Sequence, residues 1–465
     1  MKRILFALYG WWWSIYVILY PLVFVPSERG FWGSNYAYHI GLTVLFVVGA
    51  ALFEWFSYPK LRLSDIRYLP RLVLKHTPVL VALLFGVWGV LAAFFTPSPI
   101  TALMGSLARN GDGALAAFLF VLVFVFVYLQ VKTRPVVLER ILLGIVLSGL
   151  ILSFGAVAEV ALGRGLIYRP NPADLPIVSF PQRGHLAGYL AATLGVSIAV
   201  SFWKRAWFYP VASFFIACAL GLTFNRAAFL AVLVLVALGF RLYPKRAVLM
   251  ALSVGLGILG GMGFTELRGV GGDKDLASRT SLQSRFLFWK AAIGGILERP
   301  MFGWGGGNFD YYWPFFLTPE EQALFFKYEV GELKVIEILS QPGTIPVWLV
   351  ETPSGERRPH SIPLWKSHNQ LMEVALQRGL VGLLLYLALM AFSLRAFINL
   401  LPGAAGVWGY HVFLMLWFIP FFSEGVLWVL FALSCVEGER AWGFIPQAGL
   451  VPRSRDLAAA GNPYV

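Results

Sequence analysis

At three places this chain sets a cap-forming residue directly before a cationic or imidazole side chain at an expected helix start: Asn225 before Arg226, Ser284 before Arg285, and Ser367 before His368. Asparagine and serine oxygens accept from the free N–H groups of a helix's first turn, and Ser367 with Gln370 three residues on has the spacing of a capping box. Those N–H groups and the helix dipole favour anions. Arg226 and Arg285, brought together on two such ends, would suit a phosphate or diphosphate, because a guanidinium matches phosphate oxygens as a two-pronged fork. For His368, near a helix start and close to arginines, the charged form is disfavoured, and a neutral imidazole can take a proton from a hydroxyl nucleophile. Arg183 and His185, in QRGHLAGYL at 182–190, mark a further helix start. They are secondary candidates for substrate contact, together with Asn369 and Glu373. The same positions also have plainer readings, as membrane-interface anchors or solvated first-turn residues.

Other chemistries fit the residues less well. FGWGGGNF at 302–309 lacks the Gly-Lys-Ser/Thr ending of a phosphate loop and reads as a backbone hinge after Pro300. Asp273 and Asp275 in GGDKD have the spacing of the metal-binding carboxylates of nucleotide-sugar transferases, but that spacing is common and the setting is a Gly-rich loop. No His-Glu-x-x-His or other metal-ligand pattern occurs in the sequence. Cys218 and Cys435 both lie in apolar runs, which argues against a disulfide framework or a Cys-based metal site. No metal and no cofactor is expected.

The elements that position these residues are membrane helices. The chain is 58% apolar, 16% aromatic and 13% charged, with a mean hydropathy of +0.72, far from an ordinary soluble composition. Its apolar runs are solid rather than alternating and have the length that crosses about 30 Å of hydrocarbon, so they read as helices and not as a barrel. Twelve are expected, near 4–26, 36–57, 78–96, 114–131, 136–160, 184–203, 206–223, 226–243, 247–263, 368–397, 407–422 and 424–436. The first has too long an apolar region for a signal peptide and reads as a retained anchor. The fold class is therefore an all-α polytopic membrane protein with one large external loop containing short helices. Residues 1–263 hold nine spans, 264–367 form the loop, 368–436 hold three spans, and 437–465 form a cytoplasmic tail whose LVPR at 450–453 resembles a protease-site scar. Within the loop, 347–365 reads as a hairpin turning near Pro353 to Gly355.

The net charge of +13 is a topology signal rather than a nucleic-acid footprint, because the basic residues lie between apolar runs. Lys60, Arg62, Arg67, Arg71 and Lys75 share one side with Lys132, Arg134, Arg140, Lys204, Arg205, Arg241, Lys245 and Arg246. The positive-inside rule makes that side cytoplasmic and puts the 264–367 loop, with Arg226, Arg285 and His368, on the other face.

SRFLFWKAAIGGILERPMFGWGGGNF at 284–309, followed by SHNQLMEVALQRGLVG at 367–382, resembles the O-antigen ligase and polymerase superfamily, which also includes bacterial protein O-oligosaccharyltransferases. The likeness is an Arg-x-x-x-Trp helix, a Pro-x-x-Gly-x-Gly loop with one extra glycine, and His-Asn before Glu and Gly-x-x-Gly. TFNRAAFLAVL at 223–233 is similar to the family's Ser-Arg-Gly-Ala helix start, with Asn225 for Ser and Ala227 for Gly. The resemblance implies a GT-C-type, metal-independent inverting glycosyltransferase of the bacterial inner membrane, working at the periplasmic face in cell-envelope and lipopolysaccharide biosynthesis. It implies an undecaprenyl-diphosphate-linked glycan as donor, with Arg226 and Arg285 on the diphosphate and His368 activating the acceptor hydroxyl. The acceptor would be a lipid A core in a ligase, a second lipid-linked repeat in a polymerase, or a Ser or Thr in a protein-glycosylating member. Membrane lipids are partners and nucleic acid is not. A flippase for a lipid-linked sugar is the reading from another class, and predicts ionisable residues deep in several spans, where this sequence has few, chiefly Glu54 and Glu159 near span ends.

Overall fold

The computed structural model describes residues 8–24, 31–57, 75–105, 112–167, 174–204, 206–270, 276–331, 333–362 and 366–441, with side chains left undescribed at 31–35 and 276–281. Asp273, Asp275, several of the loop cations and the tail with LVPR lie outside the described residues.

Every expected apolar run holds a helix. In chain order these are α1 Trp12–Leu19, α2 Phe31–Ser57, α3 Thr77–Ala93, the short α4 Pro99–Met104, α5 Ala114–Thr133 and α6 Pro135–Leu162. Then follow α7 Arg183–Trp203, α8 Phe208–Thr223, α9 Arg226–Leu242 and α10 Pro244–Leu267. The polar 264–367 segment carries α11 Leu276–Glu298, two 3-10 turns and α12 Pro319–Glu329, and after it come α13 Gln370–Ile398, α14 Pro402–Leu414 and α15 Phe421–Ala441. Among the described residues seven of these, α2, α5, α6, α7, α10, α13 and α15, are long and apolar enough to cross a membrane alone, and shorter apolar helices accompany them. The chain is an all-α polytopic membrane protein in its main body. α7 and α15 form its centre, with 89% and 94% of their apolar windows buried against 28% for the peripheral α2 and α10.

The 264–367 segment has its own core, built from Phe288, Trp304, Phe309, Trp313, Phe325, Phe326 and Trp348, with Leu376 contributed by α13. The expected hairpin is present as β2 Val347–Glu351 and β3 Arg357–Ser361, with Gly355 at φ 83° in its turn, and β1 Lys334–Ile338 adds a third antiparallel strand in the order β1-β2-β3. That first strand gave no clear alternation in the sequence, and the structure shows why: its residues are mostly exposed.

The glycine-rich 302–309 segment is docked in place and does not act as a free hinge. α13 breaks at Gly379, φ 66°, and the freed backbone groups are taken up by that segment and by Pro300 before it: Trp304 N–H donates to Leu376 O at 2.6 Å, Gly305 N–H to Gln377 O at 3.1 Å, and Leu380 N–H to Pro300 O at 2.7 Å. A Cβ on Gly379 would collide with Met301 O, so the break requires glycine. An interrupted membrane helix is tolerated where protein satisfies its backbone.

Candidate active site

His368 stands two residues before α13 with φ 51°, a left-handed backbone that non-glycine residues rarely adopt and that folds retain where the surroundings hold it. Those surroundings are explicit. Asn369 is the cap, its Oδ1 accepting from Leu371 N at 3.0 Å and Met372 N at 3.2 Å. Glu373, one turn in, accepts from Ser367 N at 3.2 Å, Ser367 Oγ at 3.1 Å and Lys366 Nζ at 2.8 Å, and Lys366 also pairs with Asp112 at 2.6 Å. Charged groups this buried are retained when paired and hydrogen-bonded in this way. The expected capping box at Ser367 is therefore not formed: Ser367 donates to Glu373 and to Asn369 O, and the left-handed turn at His368 delays the helix to Gln370, which leaves Asn369 in the cap position.

His368 Nδ1 lies 2.9 Å from Lys366 O. A carbonyl only accepts, so in the neutral ring Nδ1 holds the proton and Nε2 carries the lone pair. The ring stacks on Phe288 of α11 at 4.7 Å and 10°, and stands edge-on to Trp417 and Phe418, each at 5.3 Å.

Trp417 and Phe418 gather the rest of the site. Their rings lie parallel at 6°, with 6.2 Å between centroids. His185, fully buried in the first turn of α7, is edge-on to both, at 5.9 and 5.3 Å. Gly184 lets α7 approach, since a Cβ there would meet the Trp417 ring at 2.6 Å. The Arg285 guanidinium sits 5.6 Å from the Trp417 ring, a cation–π contact. Burial pulls its pKa below the usual guanidinium value, with Glu329 acting in the opposite direction, and a guanidinium still keeps its proton. Asn369 Nδ2 donates to Met415 O at 3.1 Å and Ile419 N to Gln370 Oε1 at 3.1 Å, so the start of α13 holds the 415–419 turn directly.

Arg285 does not begin a helix. α11 starts at Leu276, and Ser284 is buried mid-helix rather than capping, because the helical pattern continues upstream through LASRTSLQ. Arg285 reaches the site as a side chain on a helix flank. Arg183 is half-buried beside Gly184, and among the described residues its buried Nη1 has no hydrogen-bond partner. Arg226 is where the sequence put it, at the first position of α9 with Asn225 Oδ1 accepting from Ala228 N at 3.1 Å. It is exposed, and among the described residues no hydrogen bond or ion pair ties it to the cluster. α7 and α9 run side by side in the same direction: Leu235 faces Gly195, and Phe202 stacks on Tyr243. Arg226 and His185 are thus at the same end, each about 14–15 Å along its helix from the Leu235–Gly195 contact.

The sequence reading missed Trp417 and Phe418 because it placed them inside one span at 407–422. In the structure α14 ends at Leu414 and α15 begins at Phe421, and the residues between form a turn. Pro420 was the available signal, since the residue before a proline is biased away from helix.

Comparison with known proteins adds the family. Residues 211–329 match the O-antigen ligase family. The matched segment contains Arg226, Arg285 and the glycine-rich loop, and it bears out the superfamily resemblance carried by the motifs. A glycosyltransferase activity of the general O-antigen ligase or polymerase type goes with that family. His368, His185 and Trp417 lie outside the match, and it is their geometry that joins them to Arg285. No curated protein and no solved structure matches the chain.

Proposed function

We propose that this protein transfers a glycan from an undecaprenyl-diphosphate carrier to an acceptor hydroxyl at the periplasmic face of the bacterial inner membrane. The observation that carries this reading is that Arg285 and His368 lie against the same indole ring, Trp417, so an anion-binding group and a proton acceptor address one space. Arg285 binds the diphosphate and stabilises the charge that grows on it as it leaves, and Arg226, exposed at the start of α9, adds its charge from outside the Trp417 cluster. His368 Nε2 takes the proton as the acceptor oxygen forms its bond to the anomeric carbon. The bond from that carbon to the diphosphate oxygen breaks with its electron pair, undecaprenyl diphosphate departs, and attack from the opposite side inverts the centre. Diphosphate is a good enough leaving group to need no separate general acid, and no metal or nucleotide enters the scheme. A ligase using a lipid A core is the member favoured here, and a polymerase or a protein O-oligosaccharyltransferase would use the same residues on a different hydroxyl.

Reconstituted protein supplied with an undecaprenyl-diphosphate glycan, chelator and each acceptor in turn tests this. Transfer is expected for the wild type and to fall about 10²- to 10⁴-fold for His368→Ala, the range of a lost general base. Equal transfer by both proteins removes His368 as base. Movement of the lipid between leaflets with no transfer to any acceptor replaces the transferase by a transporter.

A further inference from the structure

α11 carries an apolar arc that its packing does not use. Its inner face, with Phe288, Ala291 and Ala292, is buried against the core of the 264–367 segment and α13. On the outer face Leu282, Phe286, Ile293 and Leu297 are exposed by 48, 58, 48 and 74%. At 3.6 residues per turn these four fall within about 60° of one another around the helix. α11 is not among the helices long and apolar enough to span, so crossing the bilayer does not account for the arc. Contiguous exposed apolar side chains of this size mark a surface that meets lipid or protein.

The edges of the arc favour lipid. Arg285 borders one edge, and Lys290, 53% exposed and paired with Glu321 of α12, borders the other. An apolar strip with a guanidinium at its edge fits an anionic amphiphile, with its tail along the strip and its head at Arg285. Arg285 is also the guanidinium held over Trp417, so the arc borders the candidate active site at that residue. We infer that the outer face of α11 is the docking surface for the long isoprenoid tail of the anionic lipid donor, which lies on Phe286 and Ile293 while its diphosphate meets Arg285. This rests on the transferase reading for the identity of the lipid.

A polyprenyl diphosphate with a photoreactive group in its tail, irradiated with the reconstituted protein, tests the inference without requiring transfer. Adducts should concentrate on 282–297, and the double substitution Phe286→Ser, Ile293→Ser should cut that labelling about tenfold, the scale of losing one buried apolar side chain. Both residues are exposed, so the fold should persist. Where transfer is measurable, the double variant should raise KM for a long-chain donor and leave it unchanged for a short-chain donor with the same head. Labelling spread evenly over other lipid-facing helices such as α10 and unaltered by the substitutions overturns the inference, as does cross-linking of two copies through α11. Because labelling does not depend on turnover, a protein that binds the tail but transfers nothing overturns the transferase reading alone.

Discussion

The starts of α13 and α9 present the two kinds of group the proposed chemistry needs, and they are built differently. At α13 the residues around His368 are held by an asparagine cap, a buried Lys366–Glu373–Asp112 network and three aromatic rings. At α9 Arg226 is exposed, and its helix start rests on one asparagine cap. A base must be held within hydrogen-bond reach of one proton, and rigid support achieves that. A cation acting on a diphosphate works over a longer range and tolerates motion.

This contrast can be broken by substitution. The largest effect is expected for Glu373→Ala, which strips the Ser367 N–H of its acceptor and leaves Lys366 with Asp112 alone. Loss of one member of a buried pair costs about 3 kcal/mol or more. Thermal unfolding in detergent should show it, and an unchanged midpoint would mean the network does not hold the turn. Next come the arginines. Arg285→Ala should raise donor KM about 10- to 100-fold, the worth of a charge-assisted hydrogen bond to an anion, and Arg226→Ala should raise it by less than about tenfold. Donor titrations on the two variants check this, and a larger effect at Arg226 would reverse the comparison. The smallest effect is expected for Asn225→Ala, about 1 kcal/mol from a lost N-cap. Hydrogen exchange should show it as fraying of the first turn of α9 with the start of α13 untouched, and matching losses at both starts would mean the two are mechanically coupled.

How much of this was legible depended on the range of the physics involved. The membrane helices were readable because apolar length is a property of the local chain, and so were the cap at Asn225 and the β2–β3 hairpin. Three local readings failed for identifiable reasons. Ser284 had the right type for a cap but helical sequence ran on before it. Ser367 had the right partner three residues on, but the left-handed turn at His368 delays the helix to Gln370 and puts Asn369 in the cap position. Residues 407–422 were apolar throughout, and hydropathy does not register the turn that Pro420 ends.

By itself, then, the sequence determined a polytopic helical membrane protein, the segment that carries its polar residues, and the candidacy of Arg226, Arg285 and His368, because apolar length, capping chemistry and motif spacing are all local. Only the tertiary structure decided that Arg285, His185 and His368 share Trp417, that Arg226 stands apart from them, and that Gly379 is a break filled by the glycine-rich loop. Those facts depend on which helix faces meet between residues far apart in the chain, and helix packing is set by the sum of many side-chain contacts that no single stretch of sequence contains.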